Sequence, residues 1–302
     1  MLELAHVNQP RRTPVVSVII PTYNREATLD RALQSVFAQD FENFECIIID
    51  NCSTDSTWDL VKDACQTDRR FLGFRQGNNV GPAQNWRTGA NLAQADLIKF
   101  CFSDDWLSPN CLSSGINLMS RADASFVYYN YMIEGSTGAV TLPPSLPNKT
   151  FLFHSFVSYA GMPVTPTAGL FRTTDVQRVL NRRLPAKGVL DFEATGAGYD
   201  QAIFLEASLK RKTAWCPQDA CVYFGVQHDS ITVESNRERP GQLLRTYHEA
   251  QLMFLKQHVE HLTRAQRAMY AIGVRYHMIR ASLNASLMTS IRRGRRRAGK
   301  NV

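Results

Sequence analysis

Long apolar runs and paired cysteine motifs are both missing from this sequence of 302 residues. No stretch approaches ~18 uninterrupted apolar residues, the length that a membrane-spanning helix needs. The first residues, MLELAHVNQPRR, lack the basic start, apolar stretch and cleavage site of a secretory signal. Seven cysteines, an odd number without a C-x-x-C pair, argue against a disulfide framework or a zinc site. We therefore expect a protein that is cytoplasmic or peripheral on the cytosolic face of a membrane.

Two glycine-rich phosphate-binding motifs are absent as well. The sequence contains neither G-x-G-x-x-G nor G-x-x-x-x-G-K-[ST], which disfavours dinucleotide-binding dehydrogenases and P-loop NTPases. A nucleotidyltransferase on a similar sheet would also need a Gly-rich first loop. A nucleotide site in this chain must therefore use side chains and a separate charged group for the phosphates.

The excess positive charge is confined to the end of the chain. The net charge is +7, and six of these charges come from Arg292, Arg293, Arg295, Arg296, Arg297 and Lys300. The body of the protein is therefore nearly neutral. A terminal basic run is usually a solvated tail, although it can bind anionic lipid or nucleic acid. The lack of interleaved aromatic residues disfavours nucleic acid.

The first half alternates β-rich runs with amphipathic stretches. The predicted strands are Val15–Ile20, Cys46–Asp50, Phe71–Arg75, Leu97–Phe102 and Ser125–Tyr131. Helices with apolar residues at three- and four-residue spacing are predicted over Glu26–Phe37, Thr54–Cys65 and Pro82–Leu92. In the less regular second half we predict helices near Asp175–Arg182 and Tyr199–Lys210 and a β-rich run Ala220–Val226. Because the strands are continuous apolar runs, the pattern predicts an α/β fold with an open, mostly parallel twisted sheet flanked by helices.

Polar motifs follow three predicted strands at their carboxyl ends. Pro21-Thr22-Tyr23-Asn24-Arg25 ends the first strand, Asp50 ends the second, and Asp104-Asp105 follow the fourth. Open α/β sheets bind ligands outside the carboxyl ends of their strands, so a nucleotide site is predicted there. Two adjacent carboxylates are hard oxygen ligands for Mg²⁺ or Mn²⁺, which can bridge a diphosphate. Acidic residues at such junctions also cap turns, so the pair alone leaves both roles open.

The order and spacing of these motifs resemble those of the family 2 glycosyltransferases of GT-A fold. The resemblance covers approximately residues 14 to 132 and lies in PVVSVIIPTYNREATLDRALQSVFAQDF, FECIIIDNCSTDST and GNNVGPAQNWRTGANLAQADLIKFCFSDDWLSP. It implies an inverting enzyme that uses Mn²⁺ or Mg²⁺ to move a sugar from a nucleoside-diphosphate sugar to an acceptor hydroxyl, in surface polysaccharide, O-antigen or other glycan assembly. The Q-x-x-R-W motif and membrane spans of the processive members are absent, which implies one sugar per encounter.

The resemblance also implies a nucleotide pocket. Its residues would be Pro21, Thr22, Tyr23, Arg25, Asp50, Gly81, Asn85 and Asp104. Tyr23 would lie against the base, and Asp50 would accept the imide N–H of uracil or thymine, so a UDP- or dTDP-linked donor is implied. Gly81 would allow close backbone approach. Asp50 can instead cap the following turn, and Asn85 can be an ordinary helix residue.

The metal site is implied in the same way. Asp105 would bind the metal in a DXD-like motif, while Asp104 would contact the ribose or the sugar. His228, followed by Asp229-Ser230-Ile231-Thr232, resembles the closing histidine motif of the family and would lie near the diphosphate and metal. It can also be a surface or core histidine. Phe102 stands where the family often has an acid, which leaves fewer carboxylates near the metal.

Transfer also needs a general base for the acceptor hydroxyl. Asp200, at the start of a predicted helix, resembles the acidic residue that the family has at this stage of the chain, and it is the predicted base. A helix-start aspartate can also serve only as a cap. Asp191 and Glu193 are the alternatives. Direct action of the base implies inversion at the anomeric carbon.

The C-terminal region carries an amphipathic pattern. Met269, Ile272, Tyr276, Ile279, Leu283 and Leu287 recur at three- and four-residue spacing. Arg264, Arg267 and Arg275 are predicted on the other side of the same basic helix. The helix can pack on the catalytic domain, or it can attach the protein to anionic membrane, where lipid-linked sugar acceptors are found.

These predictions divide the chain into four parts. Residues 1–13 form an N-terminal extension, residues 14–135 the nucleotide-sugar-binding half and residues 136–239 the acceptor-binding and catalytic half. Residues 240–302 form a helical region with the basic tail. The alternative function is a non-catalytic sugar-nucleotide or glycan-binding module that keeps the GT-A fold; Asp50, the acidic pair and Asp200 argue against it.

Overall fold

An eight-stranded sheet forms the centre of the computed structural model. The structure describes residues 2–5, 13–136, 165–182, 191–209, 212–216, 221–226, 242–277 and 279. The strands are β1 (Glu3–Leu4), β2 (Val16–Thr22), β3 (Phe44–Asp50), β4 (Phe71–Arg75), β5 (Leu97–Phe100), β6 (Trp106–Leu107), β7 (Ala124–Tyr129), β8 (Tyr131–Ile133), β9 (Gly169–Arg172), β10 (Lys212–Cys216) and β11 (Val222–Phe224). The helices are α1 (Leu29–Phe37), α2 (Thr57–Thr67), α3 (Pro82–Leu92), α4 (Cys111–Ala122), α5 (Thr173–Asn181), α6 (Phe192–Thr195), α7 (Tyr199–Ser208), α8 (Gln242–Gln257) and α9 (264–277).

The large sheet has the order β1-β4-β3-β2-β5-β9-β7-β10. Neighbours among β2, β3, β4 and β5 pair in parallel, and so do β7 and β10. β9 runs antiparallel between β5 and β7, and β1 pairs antiparallel with β4 at one edge. Every residue of β2 and β3 is buried because helices cover both faces. The predicted open, mostly parallel sheet with flanking helices is confirmed.

Several predicted elements have shifted ends. α1 begins at Leu29 rather than Glu26, because the amides of Thr28 and Leu29 both bond to the carbonyl of Arg25 in a turn. The predicted strand Ser125–Tyr131 is wrong as a single element: β7 stays in the large sheet, and the chain then leaves it to form β8. β10 was not predicted, because a five-residue run with a lysine and a threonine has a weak apolar pattern.

A second, three-stranded sheet has the order β6-β11-β8. β11 pairs antiparallel with β6 and in parallel with β8. β6 follows Asp105 directly, so this sheet fixes the chain on the downstream side of the acidic pair.

Strands from both sides of residue 135 share the large sheet, because β9 and β10 come from the second half. The proposed four-part division stays a prediction. The first described residues pair with β4 through β1, and most of the predicted crossover Glu134–Asn148 lies outside the described residues.

The C-terminal helices pack on α7 as a small apolar cluster of their own. Its buried members are Leu205, Phe254, Leu255, Leu262, Tyr270 and Val274. α9 therefore turns its Tyr270 and Val274 side inward. Within the described part of the chain, no helix is both long and apolar enough to cross a membrane.

Candidate active site

The turns that follow β2 and β3 are bonded to each other. The Asn24 amide donates to Ser53 Oγ over 2.9 Å, and Asn24 Oδ1 accepts from the Thr54 amide over 2.9 Å. The Arg25 amide donates to Thr57 Oγ1 over 2.7 Å. Asn24 has φ 49°, a left-handed conformation that asparagine tolerates better than most residues. The two strand ends thus form one cross-linked edge of the sheet.

Thr22 and Tyr23 lie on this edge with different exposure. Thr22 is buried, and its Oγ1 has no hydrogen-bond partner among the described residues. Tyr23 leaves 39% of its surface exposed, which is unusual for a large ring. A polar, planar ligand that bound here would give the Thr22 hydroxyl a hydrogen-bond partner and could stack on the exposed Tyr23 ring.

Asp50 caps the turn after β3. Both carboxylate oxygens accept from the Ser53 amide, at 3.2 and 3.1 Å, and Oδ1 also accepts from Ser53 Oγ. Oδ2 lies 3.2 Å from Arg75 Nε in an ion pair, and the side chain has no exposed surface. Burial raises the pKa of Asp50, while the Ser53 hydrogen bonds and Arg75 lower it. The geometry favours the capping role, and the contact with uracil stays a prediction.

Asn51, which follows Asp50 at the end of β3, holds the loop before α3. Its Oδ1 accepts from the Val80 amide and its Nδ2 donates to Asn79 Oδ1, both over 2.9 Å. Asn79 Oδ1 in turn accepts from the Gly81 amide over 3.0 Å. Asparagine side chains that bond to nearby backbone are common in such turns, so only the tertiary contact singles out Asn51.

Gly81 and Asn85 have structural contacts in the described residues. Gly81 has φ 81°, and a Cβ there would stand 3.1 Å from the Glu193 carbonyl oxygen, so the close backbone approach is to α6. Asn85 is buried and donates from Nδ2 to the Ile49 carbonyl over 2.9 Å, which ties α3 to β3. Their proximity to a nucleotide stays a prediction.

The acidic turn, residues Phe102–Asp105, follows β5. The Asp105 amide donates to the Phe102 carbonyl over 2.9 Å, which closes the turn. Asp105 is buried, and its Oδ1 accepts from the Gly225 amide over 3.3 Å. A Cβ on Gly225 would stand 2.0 Å from the Asp104 carbonyl oxygen, so only glycine fits at that position.

Two groups from outside the motif act on Asp105. Thr167 hydrogen-bonds to its side chain, and Lys99 is fully buried with Nζ donating to the Thr167 carbonyl over 2.5 Å. Burial raises the pKa of Asp105 well above its usual range, and the charge of Asp104 raises it further; Thr167, Gly225 and Lys99 act in the opposite direction. Lys99 was not singled out from the sequence; the signal that could have found it is a lysine inside the apolar run of β5.

A stack of side chains supports the acidic turn. The Trp106 and Tyr223 rings are parallel with centroids 5.1 Å apart, and the Arg31 guanidinium lies 3.7 Å from the Trp106 ring centroid. Arg31 also pairs with Glu134 over 2.6 Å and donates to the Asp104 carbonyl over 3.3 Å. The Trp106 ring is therefore covered by the Tyr223 ring and the Arg31 guanidinium. Its stacking on Tyr223 joins β6 to β11.

The acidic turn fits a divalent cation with two protein carboxylates. Asp104 and Asp105 concentrate negative charge at a buried strand end, which a dication would offset. Among the described residues, no group of three candidate metal ligands includes either of them; the group that does occur is His258, Glu260 and His261 in the C-terminal region. Diphosphate oxygens would have to complete the coordination. His228 lies outside the described residues.

Phe102, at the position where the family often has an acid, has a packing role instead. Its ring stacks on Trp86 of α3 with centroids 5.0 Å apart, and its amide donates to Thr167 Oγ1 over 3.3 Å. Trp86 also lies against Gly196, whose added Cβ would stand 2.9 Å from the indole. The position therefore joins α3 to the turn before α7 through apolar contact.

Asp200 is a buried carboxylate at the start of α7. Oδ1 accepts from the amides of Gly198 and Gln201, over 2.9 and 2.8 Å, and Oδ2 accepts from the Tyr247 hydroxyl over 2.9 Å. Burial raises the pKa of Asp200 to about 7, while these three hydrogen bonds act to lower it. A carboxylate with such a pKa can exchange protons near neutral pH.

The two alternative bases are occupied by structural contacts. Glu193 pairs with Arg87 over 3.0 Å and accepts from the Tyr199 hydroxyl. Arg87 is buried and also donates from Nε to the Leu180 carbonyl. Asp191 accepts from the Glu193 amide over 2.9 Å and so caps α6. The assignment of Asp200 as the base stays a prediction.

Comparison with known proteins shows which family the chain matches. Residues 17–203, well over half of the chain, match the model of Glycosyl transferase family 2. The UDP-Glc:alpha-D-GlcNAc-diphosphoundecaprenol beta-1,3-glucosyltransferase WfaP of Escherichia coli is 32% identical over 135 residues, which are 44% of this chain and 53% of WfaP. The putative colanic acid biosynthesis glycosyl transferase WcaA of Escherichia coli K12 is 25% identical over 295 residues, 95% of this chain and 98% of WcaA.

The fold has a solved counterpart. The crystal structure of S. aureus TarS 1-349 in complex with UDP superimposes with a TM-score of 0.65 at 20% identity, over 87% of this chain and 71% of that one. Several curated relatives, WfaP among them, are matched over only about half of their length.

Proposed function

The chain belongs to glycosyltransferase family 2 and has the GT-A fold, and on that premise we propose that it is an inverting glycosyltransferase that depends on a divalent metal. It would move one sugar from a nucleoside-diphosphate sugar to an acceptor hydroxyl in glycan assembly. The observation that carries the proposal is the acidic turn, in which the buried Asp105 adjoins the half-buried Asp104 beside the cross-linked strand ends of β2 and β3. Fold alone would not carry it, because one fold hosts many functions.

The donor in this proposal is UDP- or dTDP-linked. WfaP uses UDP-Glc by name, and TarS binds UDP. Pro21, Thr22, Tyr23 and Arg25 would line the base and ribose pocket, with the Thr22 hydroxyl finding its partner in the ligand. Asp50 would keep this pocket in shape through the Ser53 turn.

The metal in this proposal is Mn²⁺ or Mg²⁺. Asp105 would hold it, and Asp104 would contact the ribose or the sugar. A bound dication offsets the charge of the departing diphosphate. The contribution of the chain itself is a rigid turn: Gly225, Thr167 and the Trp106 stack keep the two carboxylates in place.

Asp200 would accept the proton of the acceptor hydroxyl while that oxygen attacks the anomeric carbon. Because the pKa of Asp200 is about 7, a large fraction of its carboxylate is ionised at neutral pH. That carboxylate is also basic enough to take a proton. Attack opposite the leaving diphosphate inverts the configuration.

We further propose that α9 rests on an anionic membrane, where a lipid-linked acceptor is available. WfaP acts on a diphosphoundecaprenol-linked sugar by name. Met269, Ile272, Tyr276 and Ile279 leave 39%, 67%, 59% and 61% of their surface exposed as one stripe on α9. Arg264 and Arg275 are exposed and lie above one another along one edge of that stripe, because eleven positions are about three turns of 3.6 residues. Apolar residues bordered by cations suit the surface of an anionic bilayer.

Substitution of Asp105 tests the transferase proposal. Asp105→Asn should abolish transfer and weaken the Mn²⁺-dependent part of UDP binding, because it removes the charge that holds the cation. Calorimetric titration of UDP with and without Mn²⁺, followed by assays of donor hydrolysis and transfer, would measure both effects.

The matched control is Asp59→Asn, at an exposed aspartate of α2 that pairs with Lys62. It should leave binding and transfer unchanged. Full transfer by Asp105→Asn would contradict the proposal. Metal-dependent donor binding without hydrolysis or transfer by the wild type would instead favour a non-catalytic sugar-nucleotide-binding module.

A further inference from the structure

We propose that Tyr247, on the C-terminal helix α8, is a positioning residue for Asp200, which makes the helical C-terminal region part of the catalytic apparatus. The inference rests on the proposed function, in which Asp200 is the general base. Its observation is the 2.9 Å hydrogen bond that the Tyr247 hydroxyl donates to Asp200 Oδ2. Nothing in the residues around Tyr247 resembles a catalytic motif, so sequence reasoning had no signal for it.

The hydrogen bonds to Asp200 leave little freedom for its carboxylate. The amides of Gly198, just before α7, and of Gln201 in α7 donate to Oδ1, and the Tyr247 hydroxyl donates to Oδ2. A carboxylate has about four acceptor sites. The backbone amides named here fall on Oδ1, so the acceptor hydroxyl would approach Oδ2, the oxygen that also accepts from the phenol. Tyr247 therefore decides in which direction Oδ2 of the base points.

The packing of α8 on α7 is tight at this point. Gly198, which donates one of the two amides, has φ 93°, and a Cβ there would stand 2.9 Å from Cβ of Ala250. Ala250 lies one helical turn after Tyr247 and is buried. Farther along, Phe254 and Leu255 of α8 pack against Leu205 of α7. The distance from the phenol to the carboxylate is thus set by two helices in close contact.

No described ion pair includes Asp200, so its environment is controlled by burial and by hydrogen bonds. The charged groups on the neighbouring elements pair elsewhere: Glu193 of α6 with Arg87, Asp175 of α5 with Arg178, and Glu206 of α7 with Arg178, Arg182 and His258 of the segment after α8. His248, next to Tyr247, is also buried. A hydrogen bond donated to the ionised carboxylate favours that form, so the phenol offsets part of the effect of burial on the pKa.

Tyr247→Phe tests the inference because it removes the hydroxyl and keeps the ring. We expect kcat to fall roughly 10- to 100-fold, the equivalent of one hydrogen bond to a charged group. KM for the donor should stay unchanged, and the acid limb of the pH profile of kcat should move to higher pH. Tyr270→Phe, a buried tyrosine in the C-terminal apolar cluster, is the matched control and should behave as the wild type.

A readout without turnover accompanies the kinetics. The free energy of unfolding is measured for a protein that keeps Asp200 and for the same protein with Asp200→Asn. The difference between the two, followed against pH, reports the ionisation of Asp200. In the Tyr247→Phe background that pH dependence should move to higher pH. A wild-type pH profile and a wild-type stability difference in Tyr247→Phe would overturn the inference.

Failure of the proposed function has a different signature. If the wild type transfers no sugar, or if Asp200→Asn transfers at the full rate, Asp200 is not the base. The positioning role of Tyr247 is then refuted as well. If Asp200→Asn is inactive while Tyr247→Phe matches the wild type in kcat and pH profile, only the role of Tyr247 is refuted.

Discussion

Replacing two isoleucines of the α9 stripe by serine should release the protein from anionic vesicles. Ile272 and Ile279 expose 67% and 61% of their surface. Complete burial of an isoleucine side chain is favourable by about 2 kcal/mol, so insertion of these exposed fractions is worth about 2.5 kcal/mol for the pair. The double variant Ile272→Ser/Ile279→Ser should therefore bind vesicles roughly 60-fold more weakly.

Co-sedimentation with vesicles of phosphatidylglycerol and phosphatidylcholine would measure this partitioning. The wild type should bind better as the anionic fraction rises and more weakly as salt is added, because Arg264 and Arg275 each contribute about 1 kcal/mol at a charged surface. Leu2→Ser is the matched control, since Leu2 is an exposed apolar residue outside α9. The stability of the double variant should change by less than about 0.5 kcal/mol, because both side chains are at the surface.

Two results would refute this reasoning. Vesicle binding by the double variant that equals the wild type would show that the stripe makes no membrane contact. A wild type that is dimeric in solution, ignores vesicles and becomes monomeric in the double variant would assign the stripe to a second copy of the chain.

Two further predictions concern buried carboxylates. Asp50→Ala should lower the free energy of unfolding by roughly 2–4 kcal/mol in urea titrations, because it leaves the Ser53 amide without its acceptor; a variant with wild-type stability that has lost only UDP binding would instead make Asp50 a nucleobase ligand. Asp200→Asn should lose transfer while keeping donor binding, and its stability relative to the wild type should rise with pH. The folded-state pKa of Asp200, about 7, lies above the usual 3.8, so wild-type stability falls as pH rises between these values and the variant escapes that loss. Equal pH dependence of the two proteins would contradict the assignment of this pKa.

Much of the donor half followed from local pattern. The apolar strands β2, β3 and β4 and the helix α3 were predicted to within two residues at each end, because both sheet faces are covered and the strands are continuous apolar runs. The acidic turn and the polar motifs after β2 and β3 were located for the same reason, since each of them directly follows a predicted strand. The single strand predicted over Ser125–Tyr131 was wrong, because nothing in its apolar pattern marks the point where β8 leaves for another sheet.

The roles of individual residues were less accessible. Asp50 and Asn85 stand where a nucleotide contact was implied, yet their polar atoms bond to Ser53 and to the Ile49 carbonyl. Whether a polar side chain faces a ligand or the protein depends on which backbone groups lie near it, and those come from distant segments.

The sequence by itself determined the family, through the resemblance of its motifs. It also determined the α/β class and the order of the motifs along the strands, because these depend on periodicity and on spacing within short segments. Only the tertiary structure decided the surroundings of the two carboxylate sites. The surroundings of Asp105 include Lys99, Thr167 and Gly225, which lie 6 to 120 positions away along the chain. Asp200 is contacted by Tyr247, which lies 47 positions away. Contacts over such separations leave no periodic pattern, so burial and pKa at both sites belong to the folded protein alone.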